Sequence, residues 1–214
     1  MSKERVKRPQ TEGEEIANTI SHGLGALLAL AGAIPLVTKA ALTGSALRTA
    51  SLTAYGVSLV LLYTASAVYH GVRDPRVKRV LRIMDHCSIF VLILGTYIPM
   101  SLLVVGGRTG WLLFLTNTTL AVIGITLNAI DLKRFDKVSM ALYALMGWLI
   151  VVALRAIIQA LPPLGLALLV GGGLAYTVGI LFYKSQRGYM HFVWHLFVLA
   201  GSVLQYVCIA LYCV

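Results

Sequence analysis

Residues 163–183 read PLGLALLVGGGLAYTVGILFY, twenty-one consecutive positions without a charged side chain. An α-helix needs roughly 20 mainly apolar residues to cross a hydrocarbon core about 30 Å thick. Six further runs of this kind lie near 16–38, 49–70, 83–105, 110–130, 138–160 and 190–213. Backbone inside lipid must satisfy its own hydrogen bonds, which leaves helices or a closed barrel. Barrel strands are about ten residues long and alternate strictly; these runs are twice that length and do not alternate. The sequence therefore predicts an all-α integral membrane protein, a seven-helix bundle over 16–214. Residues 1–15, MSKERVKRPQTEGEE, form a polar tail before it.

Composition supports the same class. Of 214 residues 58% are hydrophobic and only 12% charged, against about 25% charged in a typical soluble domain. One soluble core of this size cannot hide that much apolar surface. Disorder, collagen and coiled coils each need another composition. The LALAGA stretch at 28–33 resembles a signal-peptide cleavage site, but the tail before it is long and carries Glu4, Glu12, Glu14 and Glu15, and the run continues past it. Cys87, Cys208 and Cys213 lie in apolar runs and read as small apolar fillers; an odd count argues against a full disulfide framework. Glycines such as Gly25 and Gly171–Gly173 suit close helix packing, and Pro99 predicts a kink in the third span.

Net charge is +10. The basic residues sit between the apolar runs, which suits loops facing anionic lipids rather than nucleic acid. Membrane lipids are thus the expected partners. One side holds Lys3, Arg5, Lys7 and Arg8 of the tail, Arg73, Arg76, Lys78, Arg79 and Arg82 after the second run, Lys133, Arg134 and Lys137 after the fourth, and Lys184 and Arg187 after the sixth; the other holds only Lys39, Arg48, Arg108 and Arg155. By the positive-inside rule the N-terminus is cytoplasmic and the C-terminus outside. This orientation is inverted relative to G-protein-coupled receptors. The expected location is the cell inner (plasma) membrane, as a multi-pass protein.

Ionisable groups inside spans cost about 2.5–3.5 kcal/mol each at a helix centre and mark function. Ser66 and His70 are four apart, as are His191 and His195 in HFVWH; each pair shares a helix face about 6 Å apart. With the orientation above, His70 ends the second span on the cytoplasmic side, Asp85 lies in the first turn of the third, and His191 and His195 lie in the first two turns of the seventh. Three distant segments thus bring polar groups to one depth of the inner leaflet. Three imidazoles with an open fourth position are the pattern of a catalytic zinc site, with Asp85 beside a water and Ser66 as a hydrogen-bond donor. Zinc acidifies water and polarises carbonyls, and at this depth the nearest scissile bonds are lipid amides and esters. A chance pair of interfacial histidines is the competing reading. His86 points roughly 100° away from Asp85 around its helix and is less suited as a ligand. His22 shares a face with Asn18, as a packing or supporting pair.

SAVYH at 66–70, MDHCSIFVLILGTYIP at 84–99 and HFVWH at 191–195 resemble the three signature segments of the hemolysin III family, the bacterial branch of the progestin and adiponectin receptor superfamily; EIANTISHGLG at 15–25 resembles its opening E-x-x-N-x-x-[ST]-H motif. The resemblance covers nearly the whole chain. It implies seven spans with the N-terminus inside, and a zinc site on His70, His191 and His195 with Asp85 and Ser66 beside it. The wider superfamily resembles alkaline ceramidases, which hydrolyse a lipid amide, whereas hemolysin III members are named for cytolysis. The animal receptors' long cytoplasmic domain has no counterpart here, which speaks against hormone reception. Two expectations follow: a zinc-dependent hydrolase of lipid amide or acyl bonds, or a non-enzymatic cytolytic, pore-forming or membrane-regulating protein with a structural zinc site. A pore needs a polar stripe along whole spans, and the outer halves read as almost entirely apolar.

Overall fold

Among the described residues seven helices carry the fold: α1 Glu12–Leu42, α2 Ala46–Gly71, α3 Pro75–Val105, α4 Gly107–Asp131, α5 Asp136–Ala160, α6 Pro163–Tyr183 and α7 Met190–Tyr212. The computed structural model describes residues 8–214; Lys3, Arg5 and Lys7 of the expected basic side lie outside the described residues. All seven helices are long and apolar enough to cross a membrane, as the hydropathy pattern predicts. Apolar side chains such as Ile20, Leu24 and Leu27 of α1 face outward, the arrangement expected where the surrounding solvent is lipid.

Five helices begin before their apolar runs, α1 and α3 by the most, because hydropathy marks the hydrocarbon and capping marks the helix. Thr11 and Glu14 form a capping box: the Thr11 N–H donates to Glu14 Oε2 at 2.7 Å and the Glu14 N–H to Thr11 Oγ1 at 3.3 Å. The helix therefore starts at Glu12 and includes the last turn of the acidic tail. At α3 the Asp74 carboxylate accepts from the N–H groups of Arg76 and Val77 at 2.8 and 3.1 Å, and Pro75 takes the first position, where no N–H is needed. Arg76, Lys78, Arg79 and Arg82, expected in a loop, are consequently helical. Asp85 sits ten residues into α3 rather than in its first turn.

Pro99 has no N–H to return to the preceding turn. From Met100 to Val105 the winding widens to a π-helix, and it closes with the Gly106 N–H on the Ser101 carbonyl at 2.9 Å. Helix α5 is interrupted too, by a 3₁₀ segment at Leu149–Ala153. Tyr97 of α3 supports that break: its hydroxyl donates to the Gly147 carbonyl at 3.0 Å and accepts from the Ile150 N–H at 2.7 Å.

The main core lies between α1, α2 and α7, around Leu36, Leu52, Tyr55, Tyr63, Cys208 and Ile209; a smaller one joins Phe90, Ala121 and Met146. The three cysteines are free. The halves of the spans remote from His70, His191 and His195, expected to be almost entirely apolar, are not so: Ser51, Tyr55, Ser58, Ser101, Asn117, Ser202 and Gln205 are all buried. Several bind across helices, with the Tyr63 hydroxyl donating to Ser202 Oγ at 2.7 Å and Tyr176 at 2.8 Å from the same oxygen. Serine and tyrosine spaced along apolar helices vanish in a window average, yet serve as interhelical hydrogen-bond groups.

Candidate metal centre

At the end of the bundle where α1, α3, α5 and α7 begin, α2 and α7 bring three imidazoles together. One ring nitrogen from each of His70, His191 and His195 lies within 4.8 Å of the others, so the group can hold a metal ion. The i, i+4 spacing puts His191 and His195 on one face of α7, and α2 delivers His70 to that face.

Ring orientation distinguishes ligands from neighbours. A metal sits in the plane of each imidazole that binds it. The planes of His70 and His195 cross at 70°, His191 and His195 at 61°, and His70 and His191 at 53°, so all three can converge on one point. His22 lies flat on His195, with centroids 3.5 Å apart and planes 12° from parallel. Two nearly parallel planes that far apart share no point within a bond length of about 2.0–2.1 Å. His22 is therefore a neighbour of the centre and not a joint ligand with His195.

Hydrogen bonds fix the tautomers. His70 Nδ1 lies 2.6 Å from Glu15 Oε2 and only 3.4 Å from Asn18 Nδ2. A carboxylate accepts, so Nδ1 carries the proton and donates. Nε2 of His70 keeps its lone pair and is buried with no hydrogen-bond partner. Ser21 donates its hydroxyl proton to the Asn18 carbonyl at 2.9 Å, which leaves its oxygen to accept from His195 Nδ1 at 3.1 Å. Both histidines thus hold one nitrogen in the protein and present Nε2, which is how metal-binding histidines are held by their supporting shell. Imidazole donors suit zinc, copper, iron and nickel.

Ser66 and Asp85 do not belong to the nitrogen trio. They line a cavity of about 170 Å³ whose wall also includes His191, His195 and His22. Ser66 is buried; the Asp85 carboxylate is 3.7 Å from His86 Nδ1, and His86 lines the same cavity. The cavity continues among apolar side chains of α3, α5, α6 and α7 as far as Gln205. From His191 to Gln205 is fourteen residues of α7, about 21 Å of helix.

The sequence reading did not assign Glu14, Glu15 and Ser21 to the site. Glu15 also pairs with Lys78 of α3, at 2.8 Å. Glu14 accepts from Arg8 at 2.5 Å and from the Tyr189 N–H at 2.6 Å. That contact secures Tyr189, which holds a left-handed φ of 61° immediately before α7, and so sets where α7 begins and where His191 stands. The available signal was spacing: Glu15, Asn18 and His22 share one face of α1 at intervals of three and four.

Comparison with known proteins identifies relatives of the chain. The chain is 39% identical over 213 residues to "Hemolysin-3" of Bacillus cereus, covering 99% of this chain and 97% of that protein. It is 40% identical over 202 residues to "Hemolysin-3 homolog" of Bacillus subtilis (strain 168), covering 94% and 95%. A more distant similarity, 27% over 165 residues, links it to the human "Monocyte to macrophage differentiation factor", covering 71% of this chain and 66% of that protein. No solved structure matches the chain. The profile of the family "Haemolysin-III related" matches residues 11–206, so this seven-helix membrane protein belongs to the hemolysin III family.

Proposed function

We propose that the protein is a zinc-dependent hydrolase of lipid amide or acyl bonds, working at the cytoplasmic leaflet of the inner (plasma) membrane. The observation that carries this reading is the junction of two features: a trio of metal-competent histidines opens onto a largely apolar cavity that extends deep into the bundle. A structural site has no need of an adjoining cavity, whereas a hydrolase acting on lipid must place an acyl chain next to its metal. Bound to His70, His191 and His195, zinc supplies Lewis acidity and lowers the pKa of water toward neutrality.

The chain's own groups divide the remaining work. Asp85 positions a water and takes its proton. Ser66, one turn from His70, donates a hydrogen bond to that water or to the substrate carbonyl. The apolar wall receives the acyl chain and excludes bulk water. A lipid reaches the cavity between α5 and α6, which touch at few places, among them the Trp148 indole N–H on Thr177 Oγ1 at 3.1 Å and Asp136 beside Tyr183.

The names of the two Bacillus relatives favour a second, cytolytic reading; the protein then perturbs membranes without hydrolysis, and the metal is structural. One set of purified proteins separates the two. Wild type should hold close to one zinc per chain, and the joint change His191→Ala and His195→Ala should remove it. Asp85→Asn should keep its zinc and melting temperature and lose about 10²–10⁴-fold in the rate of fatty-acid release from N-acyl lipids. Zinc-loaded Asp85→Asn with full function would exclude hydrolysis at this site and leave the structural reading.

A further inference from the structure

His22 is the anomaly of the centre. It is 4% exposed and packs flat on His195 and edge-on to Tyr63 at a centroid distance of 5.0 Å. Neither Nδ1 nor Nε2 has a side-chain hydrogen-bond partner, and only the main chain of His195 makes a polar contact with the ring. A buried polar group left without a partner is destabilising, and such groups call for a ligand or a catalytic explanation. The near-parallel stack excludes a metal shared with His195. What remains is a polar ligand in the cavity that His22 lines together with Ser66, Asp85, His191 and His195.

A neutral imidazole has one N–H donor and one lone pair. Next to a metal-competent trio and a carboxylate, the ligand atom that requires a neutral donor is the oxygen of a carbonyl under attack. We propose that His22 is a further catalytic residue, whose N–H donates to the acyl carbonyl oxygen of the lipid. The proposal rests on the hydrolase reading above. As the oxygen of water bonds to the carbonyl carbon, the π pair of the C=O moves onto the carbonyl oxygen and the proton of water passes to Asp85. His22 keeps its proton and stabilises the new charge through the hydrogen bond. The pair on that oxygen then re-forms the C=O as the C–N bond breaks, and the C–N pair leaves on nitrogen, which takes the proton back from Asp85. Single donors of this kind are worth about 10²–10³-fold in kcat.

The test uses the zinc-loaded full chain and a long-chain methyl ketone labelled with ¹³C at its carbonyl, which offers the oxygen and no bond to hydrolyse. Isotope-edited infrared spectra of wild type should show the bound carbonyl band at lower frequency than in detergent alone. His22→Phe keeps a flat ring against His195. It should reverse part of that displacement and weaken ketone binding roughly tenfold, the size of one hydrogen bond, with zinc content unchanged. His22→Gln, which retains a donor, should restore most of the displacement. The proposal is overturned by a His22→Phe protein with wild-type band and affinity, by loss of zinc from it, or by a wild-type protein whose ketone band does not move. The last result needs no variant to fold. A wild type that cleaves no N-acyl lipid but shows the His22-dependent displacement would refute the hydrolase reading and leave the carbonyl contact standing.

Discussion

Glu15 tests the reading of the metal centre because replacing it should change a tautomer. Its carboxylate bridges His70 Nδ1 at 2.6 Å and Lys78 Nζ at 2.8 Å, and so keeps the proton on Nδ1 and the lone pair on the buried Nε2. The next group in line is the Asn18 amide, a donor 3.4 Å from the same Nδ1. In Glu15→Ala this donor has no competitor. It favours a lone pair on Nδ1, moves the proton to Nε2 and blocks the coordinating position. Lys78, deprived of its partner, leaves a net positive charge where a cation must bind. Changes to groups that support metal ligands cost 10–100-fold in affinity. With both effects acting together, Glu15→Ala should fall near the upper end, about hundredfold or 2.7 kcal/mol. Glu15→Gln keeps an acceptor oxygen and loses the charge, so it should fall near tenfold. Competition with a chelator of known affinity reads the constant directly. The melting temperature at fixed free zinc should follow, because a ligand that binds only the folded state stabilises it in proportion to the logarithm of its occupancy ratio. Glu15→Ala binding zinc within about twofold of wild type would refute both the tautomer argument and the place of His70 in the trio.

Three further outcomes follow from other parts of the molecule. A reporter fused after Val214 should read as non-cytoplasmic, given the clustering of basic residues on one side; a cytoplasmic signal would reverse the leaflet assigned to the site. Gly110→Ala should destabilise the protein by about 1–3 kcal/mol in thermal unfolding, since a Cβ there would overlap the Ser101 carbonyl oxygen, main chain that cannot rotate away. Tyr97→Phe should strip partners from the Gly147 carbonyl and the Ile150 N–H at the break in α5, at about 1–3 kcal/mol for each group left unpaired; unchanged stability would mean that the 3₁₀ segment supports itself.

The number and approximate position of the helices were legible because one physical requirement, about 20 apolar residues per crossing, leaves its mark on every span. Helix ends were less so. Thr11–Glu14 and Asp74–Pro75 extend α1 and α3 beyond the apolar runs, and these capping signals lie among charged residues that read as tail and loop. The histidine trio was accessible from i, i+4 spacing and loop charge, since both fix which face and which depth a side chain occupies. Ring planes are not encoded in spacing. That His22 lies parallel to His195 while His70 crosses it at 70° is decided by contacts among α1, α2 and α7. The π segment after Pro99 follows from its missing N–H, whereas the 3₁₀ segment of α5 has no proline within it. Its signal was a tyrosine fifty residues away.

The hydrogen bonds of the bundle fall into two sets that bear on how a lipid could enter. On one side α3, α4 and α5 are linked by Ser139 Oγ to Asn128 Oδ1 at 2.5 Å, Asn128 Nδ2 to the Tyr143 hydroxyl at 3.3 Å, and that hydroxyl to the His86 carbonyl at 2.7 Å. On the other, Tyr206 bonds to Gly32 at 2.9 Å between α7 and α1, and Gln205 to Leu169 at 3.0 Å between α7 and α6. Between α5 and α6 stand the Trp148–Thr177 bond and the electrostatic contact of Asp136 with Tyr183, with the longer Tyr183–His86 pair at 3.5 Å nearby. Parting α5 from α6 would leave the hydrogen bonds of both sets in place. Helix α3 would not move with respect to α2: at Gly95 there is no room for even a Cβ beside Ser58. The histidines of α2 and α7 and the carboxylate of α3 would keep their relation while the lipid-facing seam opens. A hydrolase whose substrate arrives sideways from the bilayer needs that combination, a rigid centre next to a wall that can yield.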